Sequence, residues 1–379
     1  MADNITFGTA VEFSGTDATY IASAYDPVNN KVVIFYANLD DSTKGYAAVG
    51  TVSGTGISFG TPVKFNDAGT SSIASIYDVN SGKFVVTYRD TGNSDYGSAK
   101  VGTVSGTSIS FGTAATFNSH STIDNCIAYD STNNKVVIAY RDLDDSNSGN
   151  AVVGTVSGTG ISFGTIEEFN ATYSDEMCIT YDSSNNRVVI FYRDTNESRG
   201  SAIVGTVSGT GISFGTSVEY GGDNSQQSSA AFDSKNNKVV VAFRNVANSS
   251  YGTARVGTVS GTSISFGTAV AYEEATSSTN SVVYDANAEK IVISYVDSGN
   301  SSYETARVGE VDGTDISFAE VAVVLNEAES IGSSGVYDSG NKNVIIAYRS
   351  LSTTNRGITR VGNLPAAPST ATGAFFQLF

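Results

Sequence analysis

Tryptophan is absent from this 379-residue chain, histidine occurs once and cysteine twice. Each scarcity removes a class of explanation. Two cysteines, Cys126 and Cys178, give no disulfide framework and cannot assemble a structural zinc cluster. One histidine, His120, confines any Ser-His-Asp chemistry to its own neighbourhood; Ser119, Ser121 and Asp124 lie too close to it in sequence to build a triad, and no nucleophile elbow is present. Without tryptophan, neither the WD repeat nor the Asp-box of sialidases can be written. Basic residues number 21 against 38 acidic ones, with a pI near 4.3, so the surface repels phosphate backbones and anionic membranes and no nucleic-acid partner is expected. No apolar run approaches the length of a membrane span. The start MADNITFGT has neither the basic nor the hydrophobic segment of a Sec signal, so synthesis in the cytoplasm without that leader is the expectation.

What is abundant is glycine, serine, threonine, asparagine, tyrosine and valine, a bias toward strands and turns. One phrase, SFGT or a near match, returns with its phenylalanine at Phe7, Phe59, Phe111, Phe163, Phe214, Phe266 and Phe318, spaced by 52 residues with a single step of 51. Such regularity marks one supersecondary unit used seven times. The third unit shows its four strand-like runs as IDNCIAYD, KVVIAYRD, NAVVGTVSG and SISFGT, separated by Gly, Asn, Asp and Ser turn signals.

Four-stranded antiparallel units either stack openly, with polar caps, or close into a propeller. The last unit runs out at ITRVGN, residues 358–363, lacking a fourth strand, and the chain opens on one at residues 5–13. The sequence therefore predicts an all-β, seven-bladed β-propeller over residues 1–363, four antiparallel strands per blade, closed by the N-terminal strand completing the last blade. Small residues recur three positions before the YD of each innermost strand: Ala22, Ala74, Cys126, Cys178, Ser229, Ser281 and Ser334. They suit a crowded axis and make both cysteines buried apolar residues.

The two ends of such a ring differ. Turns between the first and second strands are nearly uniform (DSTNN, DSSNN, DSKNN), as are those of the VSGTG type. At the other end the outermost-to-innermost connections, read as loops, diverge through SGTDAT, NDAGTS, NSHSTIDN, NATYSDE, GGDNSQQ, EEATSSTN and NEAESIG. Divergence for binding and drift where packing permits are both open. A ligand site is expected there, using His120, Tyr173 and the side chains that open the third strands: Lys44, Tyr96, Arg199, Tyr251, Tyr303 and Arg356. Aromatic rings with polar tips suit sugars or protein partners.

Other chemistry is weaker. Arginine follows tyrosine or phenylalanine at Arg89, Arg141, Arg193, Arg244 and Arg349; five copies argue for structural pairing rather than catalysis. Glu176, Asp194 and Glu273 are acids that glycoside hydrolysis could use, but no carboxylate separation follows from sequence. No enzyme activity and no cofactor are expected; calcium is the one ion considered, on Asp142, Asp144 and Ser146, although an EF-hand's glycine and terminal glutamate are missing. Residues 364–379 form a linker and an apolar tail in which Phe375, Phe376, Leu378 and Phe379 are expected to dock on a partner.

The alternation of VGTVSGTSISFGT (101–113) with YDSTNNKVVIAYRD (129–142) resembles the repeated blades of bacteriophage tail-fibre and virion-surface proteins, particularly marine ones. The resemblance covers residues 5–363. It implies a non-enzymatic protein of the virion, attached to other virion proteins through its tail and presenting the diverging face to a host-surface glycan or protein. A decoration or spacer protein binding only virion neighbours is the alternative, followed by a glycan-cleaving enzyme or a lectin-like secreted adhesin.

Overall fold

The computed structural model describes residues 4–352 and 355–368. Its regular structure is antiparallel β-strand, interrupted only by single turns of 3-10 helix. The third repeat illustrates the unit: an innermost strand at residues 122–130 pairs with Lys135–Asp142, that with Ser148–Ser157, and the last with Gly160–Phe163 and Glu167–Asn170. The second strand, KVVIAYRD, carries an unbroken apolar run because neighbouring sheets cover both of its faces; residues 136–140 are fully buried.

Innermost strands neighbour one another in chain order, and Val11–Asp26 touches both Val63–Asp78 and Val323–Asp338. Ser23 Oγ and Ser334 Oγ lie 2.8 Å apart across the latter contact. One cavity of about 330 Å³ is lined by residues from all seven repeats, among them Ala22, Ala74, Cys126, Cys178, Ser229, Ser281 and Ser334, the small-residue column of the sequence. The N-terminal segment pairs with the final strand: Thr6 opposite Asn363, Phe7 opposite Gly362 and Val11 opposite Thr359. These are the contacts of a propeller-type fold.

The connections expected as variable loops are mostly strand. Val11–Asp26, Val63–Asp78, Ala115–Asp130, Val270–Asp285 and Val323–Asp338 each run sixteen residues, pairing first with one repeat and then with the next. A bulge absorbs the change of direction. Its residue lies in the left-handed region at Tyr20, Ser72, Asp124, Glu176, Gln227, Thr279 and Gly332, φ from 47 to 69°. Buried asparagines brace the crossing: Asn118 Nδ2 donates to Thr122 Oγ1 (3.0 Å) and Asp142 Oδ2 (3.1 Å), and Asn66 does the same toward Thr70 and Asp90. The polar composition that suggested loops serves this bulge.

A second repeated device sits one strand out. Gly45, Gly97, Gly149, Gly200, Gly252 and Gly357 lie so close to Phe65, Phe117, Phe169, Tyr220, Tyr272 and Phe13 that an added Cβ would enter the ring. Gly97→Ala is therefore expected to cost about 1–3 kcal/mol through overpacking, read as a lower midpoint in urea. The sixth repeat departs, with Glu304 in the glycine's place and Leu325 in the aromatic's.

At the C-terminus, Leu364 is buried with Ile5, Leu325 and Val344, and Ala367 N donates to Asn287 O at 2.9 Å. Residues 364–368 are thus seated on the first-to-second turn of the sixth repeat instead of forming a free linker. The tail residues Phe375, Phe376, Leu378 and Phe379 lie outside the described residues. Among the described residues, no helix is long and apolar enough to cross a membrane.

Candidate functional site

The uniform end is uniform for structural reasons. In every repeat the aspartate ending the innermost strand caps the following turn; Asp130 accepts from Thr132 N, Asn133 N and Asn133 Nδ2 at 2.8–3.0 Å, and Asp26, Asp182, Asp233 and Asp338 act alike. The preceding tyrosines tie neighbouring repeats: Tyr25 Oη accepts from Gly340 N (2.9 Å) and Tyr181 Oη donates to Thr132 Oγ1 (2.8 Å). Substitution here breaks turns, so the sequence has little freedom.

At the diverging end, the residues opening the third strands occupy one register, opposite the last residue of each second strand: Asn38 with Lys44, Asp90 with Tyr96, Asp194 with Arg199, Asn245 with Tyr251, Asp297 with Tyr303 and Ser350 with Arg356. They are half-buried and distributed one per repeat. Lys44 joins Asp41 and Asp67, each at 3.2 Å, in a surface network with Lys64. Arg356 stands 3.9 Å from Glu12.

His120 lies on a strand rather than in a loop. It is half exposed, its Nδ1 is 2.9 Å from Asp142 Oδ2, and that carboxylate raises its pKa. Asp142 is itself buried and also accepts from Asn118 and from Asp144 N; Asp144 Oδ2 accepts from Ser121 N at 2.8 Å. The alternating acids proposed for calcium are turn caps, matching Asn38, Asp90 and Asp297 in other repeats, and Ser146 supplies the turn's left-handed residue (φ 53°). Among the described residues, no cluster of three or more His, Cys, Asp or Glu is placed to hold a metal.

Tyr173 does meet chemistry. The Arg141 guanidinium carbon lies 4.9 Å from its ring centre, and Arg141 Nη1 donates to its hydroxyl at 2.5 Å. Arg141 Nη2 is 3.3 Å from Asp124, and its Nη1 is 3.7 Å from Asp175, which takes two hydrogen bonds from Arg193 (2.7 and 2.6 Å). Arg193 continues to Asn224 of the next repeat, and Arg349 Nη2 reaches Asp17 Oδ2 at 2.7 Å. These arginines are clamps between repeats. Burial pushes the Asp124 carboxyl up to about 6 against the opposing pull of Arg141, with Asp175 and Glu176 adding to the rise.

The bulge residues ring the cavity at this end and are linked. Ser72 Oγ accepts from Asp124 N (3.3 Å), Glu176 Oε2 from Gln227 N (2.6 Å) and Gln227 Oε1 from Thr279 N (3.3 Å). Gly332 has no side chain to continue the chain of caps, and the next member, Tyr20, is 50% exposed. Sequence reading missed Tyr20 and Asp175, and it named Asp124 and Glu176 only singly, not as members of one column. The available signal was that its seven members, Tyr, Ser, Asp, Glu, Gln, Thr and Gly, all differ. Below them, Cys126 and Cys178 are free, and burial pushes both thiols far up, so they are poor nucleophiles.

No protein-family model matches the sequence, and no curated protein does. Solved structures share the fold. The lectin BP39L from Burkholderia pseudomallei is similar with a TM-score of 0.68 at 10% identity, over 93% of this chain and 100% of that one. A protein of unknown function from Dyadobacter fermentans is similar with a TM-score of 0.57 at 10% identity, over 95% of this chain and 99% of that one. An arginine-to-alanine mutant of AofleA from Arthrobotrys oligospora gives 0.50 at 9% identity, over 84% and 91%. At these identities the likeness is one of fold.

Proposed function

We propose that this protein is a non-enzymatic carbohydrate-binding propeller: seven blades closed by the N-terminal strand, with the diverging end as its recognition face. The observation that carries the reading is that the exposed aromatics Tyr20 and Tyr173 (50% and 37% exposed) are set among polar groups at that one end, while at the opposite end Tyr25, Tyr129 and Tyr181 are tied into turns. Aromatic surface beside fixed donors and acceptors is what a sugar's apolar face and hydroxyls require. The lectin among the similar folds agrees with this reading without establishing it.

A place on a bacteriophage particle, facing a host glycan, is part of the same proposal. Residues 364–368 lie against the turn of residues 287–290, at the end opposite the recognition face, so attachment through that segment leaves the face free. A glycan array probed with the labelled full-length protein, with and without a calcium chelator, tests it, with the supernatant analysed for released sugar. Binding that survives chelation and yields no product is expected. Product formation lost in Asp124→Asn would overturn the non-enzymatic assignment, and silence across the array would favour a spacer binding only virion neighbours.

A further inference from the structure

In the bulge column, a side chain from one repeat repeatedly caps the backbone N–H of the next, as Ser72, Glu176 and Gln227 do. The chain of caps stops at Thr279, whose buried Oγ1 has no partner among the described residues, and stays broken across the seventh, first and second repeats. Gly332 offers nothing to Tyr20 N–H, and the Tyr20 side chain stands half in water instead of turning back onto Ser72. Tyr20 is also the bulkiest member of a column that the bulge holds at positive φ in every repeat, here 50°. Ser23 and Ser334 are bonded three residues farther along their strands, which puts Tyr20 level with Ile331, itself 36% exposed. A Cβ built on Gly332 meets nothing within 4 Å, so the space beside Tyr20 is open. The rim there is a closed ion pair, Arg349 with Asp17, and Arg349 stands opposite Ile331 in the ladder.

We infer that this gap between the seventh, first and second repeats is a binding site for a neutral pyranose at the end of a glycan. The inference rests on the carbohydrate-binding reading and gives it a place and a ligand class. The sugar's C–H face stacks on Tyr20 and Ile331, and its hydroxyls take the place of the missing cap at Tyr20 N–H. An uncharged sugar fits because Arg349 is already neutralised by Asp17, a further carboxylate, Asp40, accepts from Asp17 N at 3.1 Å, and the molecule as a whole is at −17, all of which disfavour an anionic sugar.

The test uses the full-length protein on an array of neutral and acidic oligosaccharides, followed by calorimetric titration with the best neutral binder. Tyr20→Ala is expected to weaken binding about tenfold or more, and Tyr20→Phe, which keeps the stacking face, by no more than about twofold. Gly332→Asp supplies the cap seen in other repeats, at a φ that aspartate tolerates, and fills the space; it is expected to abolish binding without lowering the thermal midpoint. Wild-type affinity in both Tyr20→Ala and Gly332→Asp, with loss in Tyr173→Ala, would move the site and overturn the inference while leaving the carbohydrate reading intact. Binding of acidic sugars alone would overturn the ligand class. Failure of the wild type on every glycan would remove both.

Discussion

Between pH 5 and pH 9 the native protein is expected to lose stability, and Glu304→Gln to remove most of that loss. Glu304 is fully buried, and neither carboxyl oxygen has a hydrogen-bond partner. It stands where six other repeats carry glycine, and Leu325 in place of an aromatic ring leaves the room it occupies. The polar groups nearby are Ser333, which is bonded to Ser294 Oγ at 2.6 Å, and Tyr348, whose phenol is itself pushed up by burial. Loss of hydration raises the Glu304 pKa from 4.5 to about 8. The folded state therefore keeps a proton that the unfolded state has released. Stability falls with pH between those two values, by up to about 1.4 kcal/mol per unit, and the slope from this group vanishes below and above them. His120, with its pKa raised by Asp142, contributes a loss of the same sign as it deprotonates, so the wild-type profile alone does not identify the source. Urea denaturation at pH 5, 6.5, 8 and 9 of wild type and Glu304→Gln does. Glu304→Gly with Leu325→Phe, which rebuilds the glycine–aromatic pair of the other repeats, is expected to be flat as well. A Glu304→Gln profile as steep as the wild type would refute the assignment.

The arrangement of the strands was legible because repetition turns local patterns into a comparison. KVVIAYRD and its copies read as strands, and the split of the first and last units foretold the Thr6–Asn363 and Val11–Thr359 pairings. The crossings were misread because serine, threonine and asparagine serve loops and bulges equally; only the register shift between Ile123 and Cys126, and its counterparts, separates the two. Tyr173 was found as an aromatic in a divergent stretch, but its partner Arg141 had been set aside as one of a repeated set. Their meeting depends on a contact between repeats that sequence spacing does not encode. The third-strand tyrosines Tyr96, Tyr251 and Tyr303 share a register, one in each of three repeats, as the spacing of the repeats predicts. Asp142, Asp144 and Ser146 show the converse, since ligand-like spacing is also what a capped turn needs.

Removing residues 1–10 is expected to be the most damaging truncation, far beyond what ten terminal residues usually contribute. Ile5 is 2% exposed and packs with Leu325, Val344, Ile346 and Leu364, which lie in or between the sixth and seventh repeats and the C-terminal segment. Phe7 packs on Gly362, where a Cβ would meet its ring at 2.6 Å. Stripping both side chains from the core forfeits about 1.5–3 kcal/mol each, and the end of the final strand, residues 361–363, loses its ladder partners Thr6, Phe7 and Gly8. An unpaired strand edge also invites pairing with a second molecule, so the truncated protein is expected to aggregate as well as to unfold at lower urea. Because the lost piece is a strand rather than a catalytic or binding element, it is replaceable in trans: a synthetic peptide of residues 1–13 should restore the monomer and raise the urea midpoint in a concentration-dependent way. A scrambled peptide should do neither. If the truncated chain matched the full-length midpoint and stayed monomeric, the N-terminal strand would be an ornament on an open stack of repeats, and closure of the ring through it would have to be abandoned.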